Sequence, residues 1–270
     1  MGNTLLAYPD RTSDATTTFA GGSWQAGLPL INLQNRLLSK VARSTNATAA
    51  YTQFVVTLTS PRDVRVIGIL GHNISLAGTI RVRGYSDAGL TALVYDTGTQ
   101  YAWPQTFTTD DVAVQPNNWI WPLPTIATAR YWLVEVVDTG NAAGYVQIGR
   151  CWLGPAWVPD CGVVYGVNIG YESRSVVSES LGGVIWGNRR TPRRAETISF
   201  PSLSMSEMRT ALIIQKVLDT TGELIIVLDN TMGAEDLLLH AFPATPRKLS
   251  PLRMARFNAN EMPMELIENV

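Results

Sequence analysis

The feature that most constrains this chain is a series of short strand-like segments, each separated from the next by turn residues. Apolar and polar residues alternate, or β-branched residues cluster, in segments 53–58, 64–70, 79–85, 92–95, 130–137 and 145–153. Turn-forming residues fill 86–89 and 138–141 between them. Many short strands with this punctuation are typical of a β-sandwich. We therefore predict a mainly β chain whose first domain, residues 1–157, is a sandwich preceded by an arm.

Two stretches of this first part lack a strand pattern. Residues 1–25 are rich in Thr, Ser, Asp and Gly, which predicts an extended arm or a loop. As an arm in an assembly, the segment would lie on a neighbouring copy and gain order only there. Residues 103–124 are rich in proline and predict a long loop, and loops of that length are uncommon unless they bind something.

The strand series stops at residues 153–159, where we place a domain boundary. The second domain, 158–270, shows further strand patterns at 163–171, 174–180, 184–186, 195–200 and 223–228. Ser204 with Glu207 three residues later forms a capping-box signature, and apolar residues continue at helical spacing to Leu218. The pattern predicts one α-helix near 205–218 in an otherwise β domain.

Charge argues against nucleic-acid and membrane partners. Twenty-one basic and 22 acidic residues give a net charge of -1. Charged residues make up only 16% of the chain, against about 25% in an average protein, which favours a surface partly covered by partners. Cys151 and Cys161 can be bridged only if the chain turns back between them, and free thiols are the favoured state in a cytoplasm-made protein.

Catalytic signatures are missing from the sequence. It contains no nucleophile elbow, no phosphate-binding loop and no His-Glu-x-x-His zinc motif. With two histidines in all, a histidine-based metal site or a Ser-His triad is disfavoured. We expect a protein that is not an enzyme and uses no cofactor or metal, with Asp110 and Asp111 as solvated loop carboxylates.

Aromatic residues of the first domain are the main candidates for contacts with a ligand or partner. Trp103, Trp119 and Trp121 lie in the proline-rich stretch, with Tyr101 beside it and Trp24 near the arm. Such rings stack on sugars or anchor protein interfaces when exposed. The three tryptophans can equally close one end of the sandwich, so packing, a protein interface and glycan contact all stay open.

One cluster of charge stands out in the second domain, at Arg189, Arg190, Arg193 and Arg194. Guanidinium groups pair bidentately with carboxylates. A solvated hairpin is one interpretation. The alternative is an oligomer interface in which these arginines meet Glu261, Glu265 or Glu268 of a neighbouring copy.

Residues 45–154 resemble the galactose-binding-like, discoidin-type jelly roll. The resemblance rests on Gln53–Leu58, Val64–Leu70, Val82–Gly89, Ala129–Trp132 and Val146–Arg150. It implies the fold of the first domain. It carries over no ligand residue, because the ligand residues of that family lie in variable loops.

The whole chain is also similar to tail proteins of long-tailed bacteriophages and prophages. The similarity is carried by five blocks in conserved order: Val41–Thr45, Gly71–Asn73, Gly144–Arg150, Leu153–Trp157 and Arg189–Arg194. It implies that the second domain is a tail-tube-like split β-barrel around the helix. The order of the domains is the reverse of that in the best-known distal tail proteins.

These resemblances lead to one main hypothesis and its rivals. The main hypothesis is a structural subunit of the tail tip or baseplate in the virion, made in the host cytoplasm. It would form a symmetric ring of its own copies that joins the tail tube to host-recognition proteins. The first rival is a carbohydrate-binding module that recognises a host surface glycan, and the second is a cell-wall hydrolase of the tail.

Overall fold

The structure is a computed structural model that describes residues 3–164, 166–256 and 259–269. Met1 and Gly2 of the predicted arm, and Tyr165 of the predicted strand at 163–171, lie outside the described residues. The strands are β1 (Leu5–Ala7), β2 (Thr18–Ala20), β3 (Ala42–Arg43), β4 (Phe54–Leu70), β5 (Thr79–Tyr85), β6 (Leu93–Asp96), β7 (Gln100–Tyr101), β8 (Asn118–Val137), β9 (Gln147–Ile148), β10 (Arg150–Gly154), β11 (Ala156–Trp157), β12 (Asn168–Glu172), β13 (Val176–Glu179), β14 (Ile185–Asn188), β15 (Arg193–Leu203), β16 (Leu224–Val227), β17 (Ala241–Lys248), β18 (Arg253–Arg256) and β19 (Ala259–Glu268). The α-helices are α1 (Ala49–Thr52), α2 (Thr109–Val114), α3 (Met205–Leu218) and α4 (Ala234–His240), with a 3-10 helix at Leu30–Gln34. The prediction of a mainly β chain is confirmed.

The chain divides into two compact units. The sandwich unit comprises Leu6–Trp157 and Asp229–Ala241, and the C-terminal unit comprises the residues up to Leu5, Val158–Leu228 and those from Phe242 onward. The sequence-based division placed the whole of 158–270 in one domain. The structure instead returns residues 229–241 to the sandwich unit, because α4 lies in that segment and Leu238 joins the sandwich core.

The sandwich unit is built on an antiparallel sheet in the order β10-β4-β8-β5-β6, with β2 beside β4 and β7 beside β5. Its centre is the long pair β4 and β8, in which Phe54 lies opposite Val134 and Leu70 opposite Asn118. Alternation along β5 buries Ile80 and Val82. Trp132 on β8 is fully buried and forms part of the same core.

The prediction of an arm that gains order only in an assembly is wrong for the residues that the structure describes. Leu6 pairs with Trp157 and Ala7 with Ala156, and both side chains are fully buried. Asp10 is also buried and accepts a hydrogen bond from Arg150. The apolar Leu-Leu-Ala run, embedded in a polar segment, supplies a strand that the composition of the segment concealed.

The predicted loop at 103–124 is also corrected. It contains α2, which a capping box of Thr108 and Asp111 begins, and then the first seven residues of β8 from Asn118. Pro122 and Pro124 lie within β8, where the pairing with β4 shifts register between Val64 and Val66. Such irregularities let a sheet accept residues that donate no backbone hydrogen bond.

The C-terminal unit has a sheet in which β16, β17, β19, β15 and β12 follow one another, with β18 beside β19. The pairings of β19 with β15, β17 and β18, and of β12 with β15, are antiparallel. A tail-tube-like split barrel is not confirmed, because the sheets of the described residues do not close into a barrel. Helix α3 begins after Ser204, whose hydroxyl accepts from the Glu207 backbone in the capping box that the sequence indicated. It is not the single helix of residues 158–270, since α4 follows it.

Two further properties of the chain are the absence of a membrane-spanning helix from its described residues and the state of its cysteines. Within the described residues, no helix combines the length and the apolar character needed to cross a bilayer. Cys151 is buried and Cys161 is exposed, and both are free thiols.

Candidate functional site

The start of β8 forms one wall of a pocket in the sandwich unit. Trp119 and Trp121 lie two residues apart, so strand alternation directs both side chains to the same face. Their rings stack with centroids 5.9 Å apart and planes 9° from parallel. The indole nitrogen of Trp121 donates to the Tyr95 hydroxyl at 3.1 Å. This hydrogen bond fixes the ring of Trp121 at the pocket wall.

Trp103 lines the most buried part of the pocket. Its indole nitrogen donates to the Ile74 carbonyl at 2.8 Å, and its side chain is only 2% exposed. His72 meets the ring edge to face, with centroids 5.4 Å apart. Burial lowers the pKa of His72 to about 4, so the imidazole is neutral, and its Nδ1 accepts from the Ile74 backbone at 3.3 Å. His72 is therefore a packing residue that supports Trp103.

Polar groups stand at the rim. Tyr101 is 53% exposed, and Gln100 and Gln105 flank the rings. The Gln100 side-chain amide donates to the Thr97 carbonyl at 2.7 Å, and that of Gln105 donates to the Leu76 carbonyl at 3.2 Å. Each of these hydrogen bonds fixes the orientation of the side-chain amide. The amide oxygen then points away from the carbonyl that its nitrogen contacts, and this oxygen is available to accept a hydrogen bond from a ligand.

Helix α4 closes the opposite side. Ala234, Leu237 and Leu238 line the pocket from this helix, and Leu238 belongs to the hydrophobic core. The Thr106 hydroxyl donates to the Glu235 carboxylate and ties the helix to the segment that follows Trp103. The pocket is partly open to solvent and has a volume of about 400 Å³. Pockets for small ligands begin at roughly 300 Å³, so this one is large enough for such a ligand.

The chemistry of the pocket follows from its lining. Among the described residues, none that lines it carries a charge. Aromatic faces present a negative quadrupole to the C–H bonds of an apolar surface, and the amides offer both donors and acceptors. The pocket is thus suited to a neutral molecule that has one apolar face and several hydroxyl groups.

The structure brings Trp103, Trp119 and Trp121 together, although not all are accessible. Trp119 is 6% exposed, so it and Trp103 belong mainly to the core, whereas Trp121 is half-buried. The sequence reasoning named Tyr101 but did not find the two glutamines or α4. No signal in the sequence links α4 to this pocket, because more than 100 residues separate them.

The arginine cluster does not form one surface. Arg194 is buried, pairs with Glu268 of its own chain and stacks over Phe242 at 4.5 Å. Arg193 pairs with Glu172 at 3.2 Å. Arg189 and Arg190 are exposed. Arg194 is therefore committed within its own chain and does not face a neighbouring copy.

The predicted acidic partners are also occupied within the C-terminal unit. Glu265 pairs with Lys248, and Glu261 accepts from the Ser199 hydroxyl at 3.3 Å. The predicted interface between these glutamates and the arginines stays a hypothesis, and Arg189 and Arg190 are its exposed members. Across the described part of the chain, no group of three or more His, Cys, Asp or Glu side chains is arranged to hold a metal ion.

Comparison with known proteins gives structural similarity only. No family model matches the chain, and no curated protein matches it. A carbohydrate-binding module from a family 31 glycoside hydrolase of Clostridium perfringens matches 55% of this chain and 100% of its own, with 11% identity and a TM-score of 0.41. The family 32 module of NanJ from the same organism, in complex with galactose, matches 55% of this chain and 98% of its own, with 15% identity and a TM-score of 0.39. A further Clostridium perfringens module, in complex with GalNAc-β-1,3-galactose, matches 54% of this chain and 100% of its own, with 6% identity and a TM-score of 0.40. Similarity at this level assigns no function to the pocket.

Proposed function

We propose that the sandwich unit binds a neutral carbohydrate in the pocket formed by Tyr101, Trp121 and their neighbours. The observation that carries this proposal is the combination of stacked aromatic rings with oriented amides in an uncharged pocket of about 400 Å³. A pyranose has one apolar face for stacking and hydroxyl groups for the Gln100 and Gln105 amides. The protein acts by binding and not by catalysis, which accords with the absence of catalytic motifs from the sequence.

The lining also restricts the class of sugar. Sugars that carry a carboxylate, such as sialic acids, need a cationic partner to offset the loss of their hydration. The described lining offers none, so we expect hexoses and N-acetylhexosamines to bind and acidic sugars to be rejected. One of the similar modules is described in complex with galactose, so galactose is the first ligand to test.

The Tyr101→Ala variant is expected to bind galactose at least tenfold more weakly than the unaltered protein. The reason is that Tyr101 is the most exposed ring of the pocket, and an aromatic contact contributes about 0.5–1.5 kcal/mol beyond the area it buries. Isothermal titration calorimetry with galactose and N-acetylgalactosamine measures the effect. The matched Tyr101→Phe variant keeps the ring and should lose far less. If neither sugar binds the unaltered protein, or if Tyr101→Ala binds normally, the pocket is not a carbohydrate site.

A second proposal concerns the C-terminal unit: we propose that it assembles copies of the chain into a ring in a bacteriophage tail tip or baseplate. The ring would join the tail tube to host-recognition proteins, and the virion would be its location. The observation that favours assembly is an exposed apolar hairpin formed by β13 and β14, in which Ile185 is 68% and Trp186 is 67% exposed. Apolar side chains exposed to water contribute nothing to the stability of a monomer, whereas a partner molecule that packs on them removes them from water. The carbohydrate pocket would then serve to recognise a host surface glycan.

Light scattering of the purified full chain tests this assembly. We expect a single closed oligomer whose mass is a small multiple of the monomer mass, independent of concentration in the micromolar range. The Arg189→Glu/Arg190→Glu variant, altered beside β14, should lower that mass, because two acidic groups replace two exposed cations next to the apolar surface. A monomer at all concentrations would contradict self-assembly.

A further inference from the structure

Asn118 is a buried amide of the pocket lining whose hydrogen-bonding groups are only partly used. The residue lies at the start of β8, lines the pocket and is 7% exposed. Its side-chain oxygen accepts from the Gly71 backbone N–H at 3.1 Å. Because a backbone N–H can only donate, this contact identifies the other atom of the amide as the nitrogen Nδ2.

The nitrogen of this amide is free to bind a ligand. Among the described residues, no acceptor forms a hydrogen bond with Nδ2 of Asn118, and Nδ2 does not belong to the polar atoms that are closed off from solvent. The two glutamines of the rim differ, because Nε2 of Gln100 and of Gln105 already donates to backbone carbonyls. The rim amides therefore offer acceptors, whereas Asn118 offers a donor from a buried position. A buried donor gains free energy when it finds an acceptor, so a ligand that supplies one is favoured.

The wall that α4 and the residues at its ends contribute to the pocket is wholly apolar, and we call it the α4 wall. Leu238 and Ala241 are buried in it, whereas Leu237 is half-buried. A sugar hydroxyl placed against such a wall would lose its hydration without finding a partner, whereas a methyl group gains from burial there. The α4 wall consists of Met232, Ala234, Leu237, Leu238 and Ala241.

We propose that the pocket selects N-acetylhexosamines over the parent hexoses, with the acetamido group held between Asn118 and the α4 wall. The acetamido oxygen accepts from Nδ2 of Asn118, and the acetamido methyl packs on Leu237. This inference rests on the carbohydrate binding proposed above and names the chemical group that decides between sugars. The hydroxyl groups of the sugar stay with Gln100 and Gln105 at the rim.

The parent hexose fits the same position less well. It carries a hydroxyl in place of the acetamido group, and this shorter substituent brings no methyl to the α4 wall. Burial of one methyl group and completion of one hydrogen bond each strengthen binding by roughly fourfold. We therefore expect the N-acetyl sugar to bind at least about tenfold more tightly than its parent hexose.

The test measures this affinity ratio for two pairs of sugars, galactose with N-acetylgalactosamine and glucose with N-acetylglucosamine. Isothermal titration calorimetry is carried out on the full chain and on three variants whose folding is checked by circular dichroism. Asn118→Asp keeps an oxygen for the Gly71 N–H but replaces the donor by a second acceptor. Leu237→Ala removes the apolar contact for the methyl group. Leu239→Ala is the matched control, because Leu239 lies on the same helix, is 38% exposed and is not part of the pocket lining.

We expect the ratio to be at least about tenfold in the unaltered chain and in Leu239→Ala for every pair that binds, and to fall to near one in Asn118→Asp and in Leu237→Ala. If Asn118→Asp does not fold, Leu237→Ala decides the outcome. A parent hexose that binds as tightly as its N-acetyl derivative would overturn the selectivity while carbohydrate binding stands. A ratio that persists in the folded variants would likewise overturn the placement of the acetamido group. If none of the four sugars binds the unaltered chain, both the selectivity and the carbohydrate site are wrong.

Discussion

Asp10→Ala is expected to destabilise the protein by about 3–5 kcal/mol, the range for removing one member of a buried ion pair. The Asp10 Oδ2 accepts from Arg150 at 2.8 Å, and both side chains are 4% exposed. The other oxygen, Oδ1, accepts from the Thr12 backbone at 2.9 Å and from its hydroxyl at 2.8 Å. The Leu153 backbone N–H also donates to Oδ1, at 3.5 Å. The substitution removes these four hydrogen bonds and the carboxylate that faces a buried guanidinium.

Urea denaturation of the variant and the unaltered chain measures this effect. The control is Glu135→Ala, which breaks the pair with Arg83 at positions that are 27% and 24% exposed. Surface pairs contribute about 0–1 kcal/mol, so the control should change stability little. In the double variant Asp10→Ala/Arg150→Met the buried charge is absent, and part of the stability should return. If Asp10→Ala lowers the free energy of unfolding by less than about 1 kcal/mol, this ion pair does not stabilise the packing of the N-terminal segment.

This pair also shows where sequence reasoning reaches its limit. The segment around Asp10 has no periodicity, and its order depends on Arg150, which lies 140 residues away. Helix α3 is the opposite case. Its start depends on Ser204 and Glu207, which are near neighbours in the chain, so the sequence was sufficient to predict it. Interactions between near neighbours in the chain can be predicted from the sequence, whereas interactions between residues far apart in the chain cannot.

The candidate pocket follows the same division. Tyr101, Trp103, Trp119 and Trp121 lie close together in the sequence and could be named as a group. The stacking of Trp119 against Trp121 follows from their spacing of two residues on one strand. Which of the rings is accessible also depends on α4, which lies more than 100 residues further along the chain and which no local pattern links to the pocket. The apolar residues of β13 and β14 mislead in another way. Their pattern predicts a strand correctly, but an apolar strand pattern normally indicates burial, and here the side chains are exposed.

Glu196 is a buried carboxylate that works against folding at neutral and alkaline pH. It lies on β15 between Arg194 and Ile198, and its side chain is 1% exposed. Neither of its oxygens has a hydrogen-bond partner among the described residues. Arg194, whose charge acts on Glu196, pairs with Glu268. Burial raises the pKa of Glu196 from its usual 4.5 to about 7, while the charge of Arg194 opposes this rise.

The sign of the effect follows from linkage. A carboxyl whose pKa is higher in the folded state binds its proton more tightly there, so folding favours the protonated form. The penalty is absent well below pH 4.5, grows as the pH rises from 4.5 to 7, and is complete above pH 7. Because one pKa unit corresponds to about 1.4 kcal/mol, its full size is about 3 kcal/mol.

Glu196→Gln should therefore gain stability relative to the unaltered chain as the pH rises, by about 3 kcal/mol between pH 4 and pH 8. The amide resembles the protonated carboxyl in size and never ionises, so the penalty at high pH is absent in the variant. Urea denaturation of both proteins at several pH values gives the difference directly, because other titrating groups cancel. Glu265→Gln, at a half-exposed pair with Lys248 on the same sheet, is the matched control variant, because such a pair contributes at most about 1 kcal/mol to stability. A Glu196→Gln difference that does not vary with pH would mean that the carboxylate is hydrated or paired in solution.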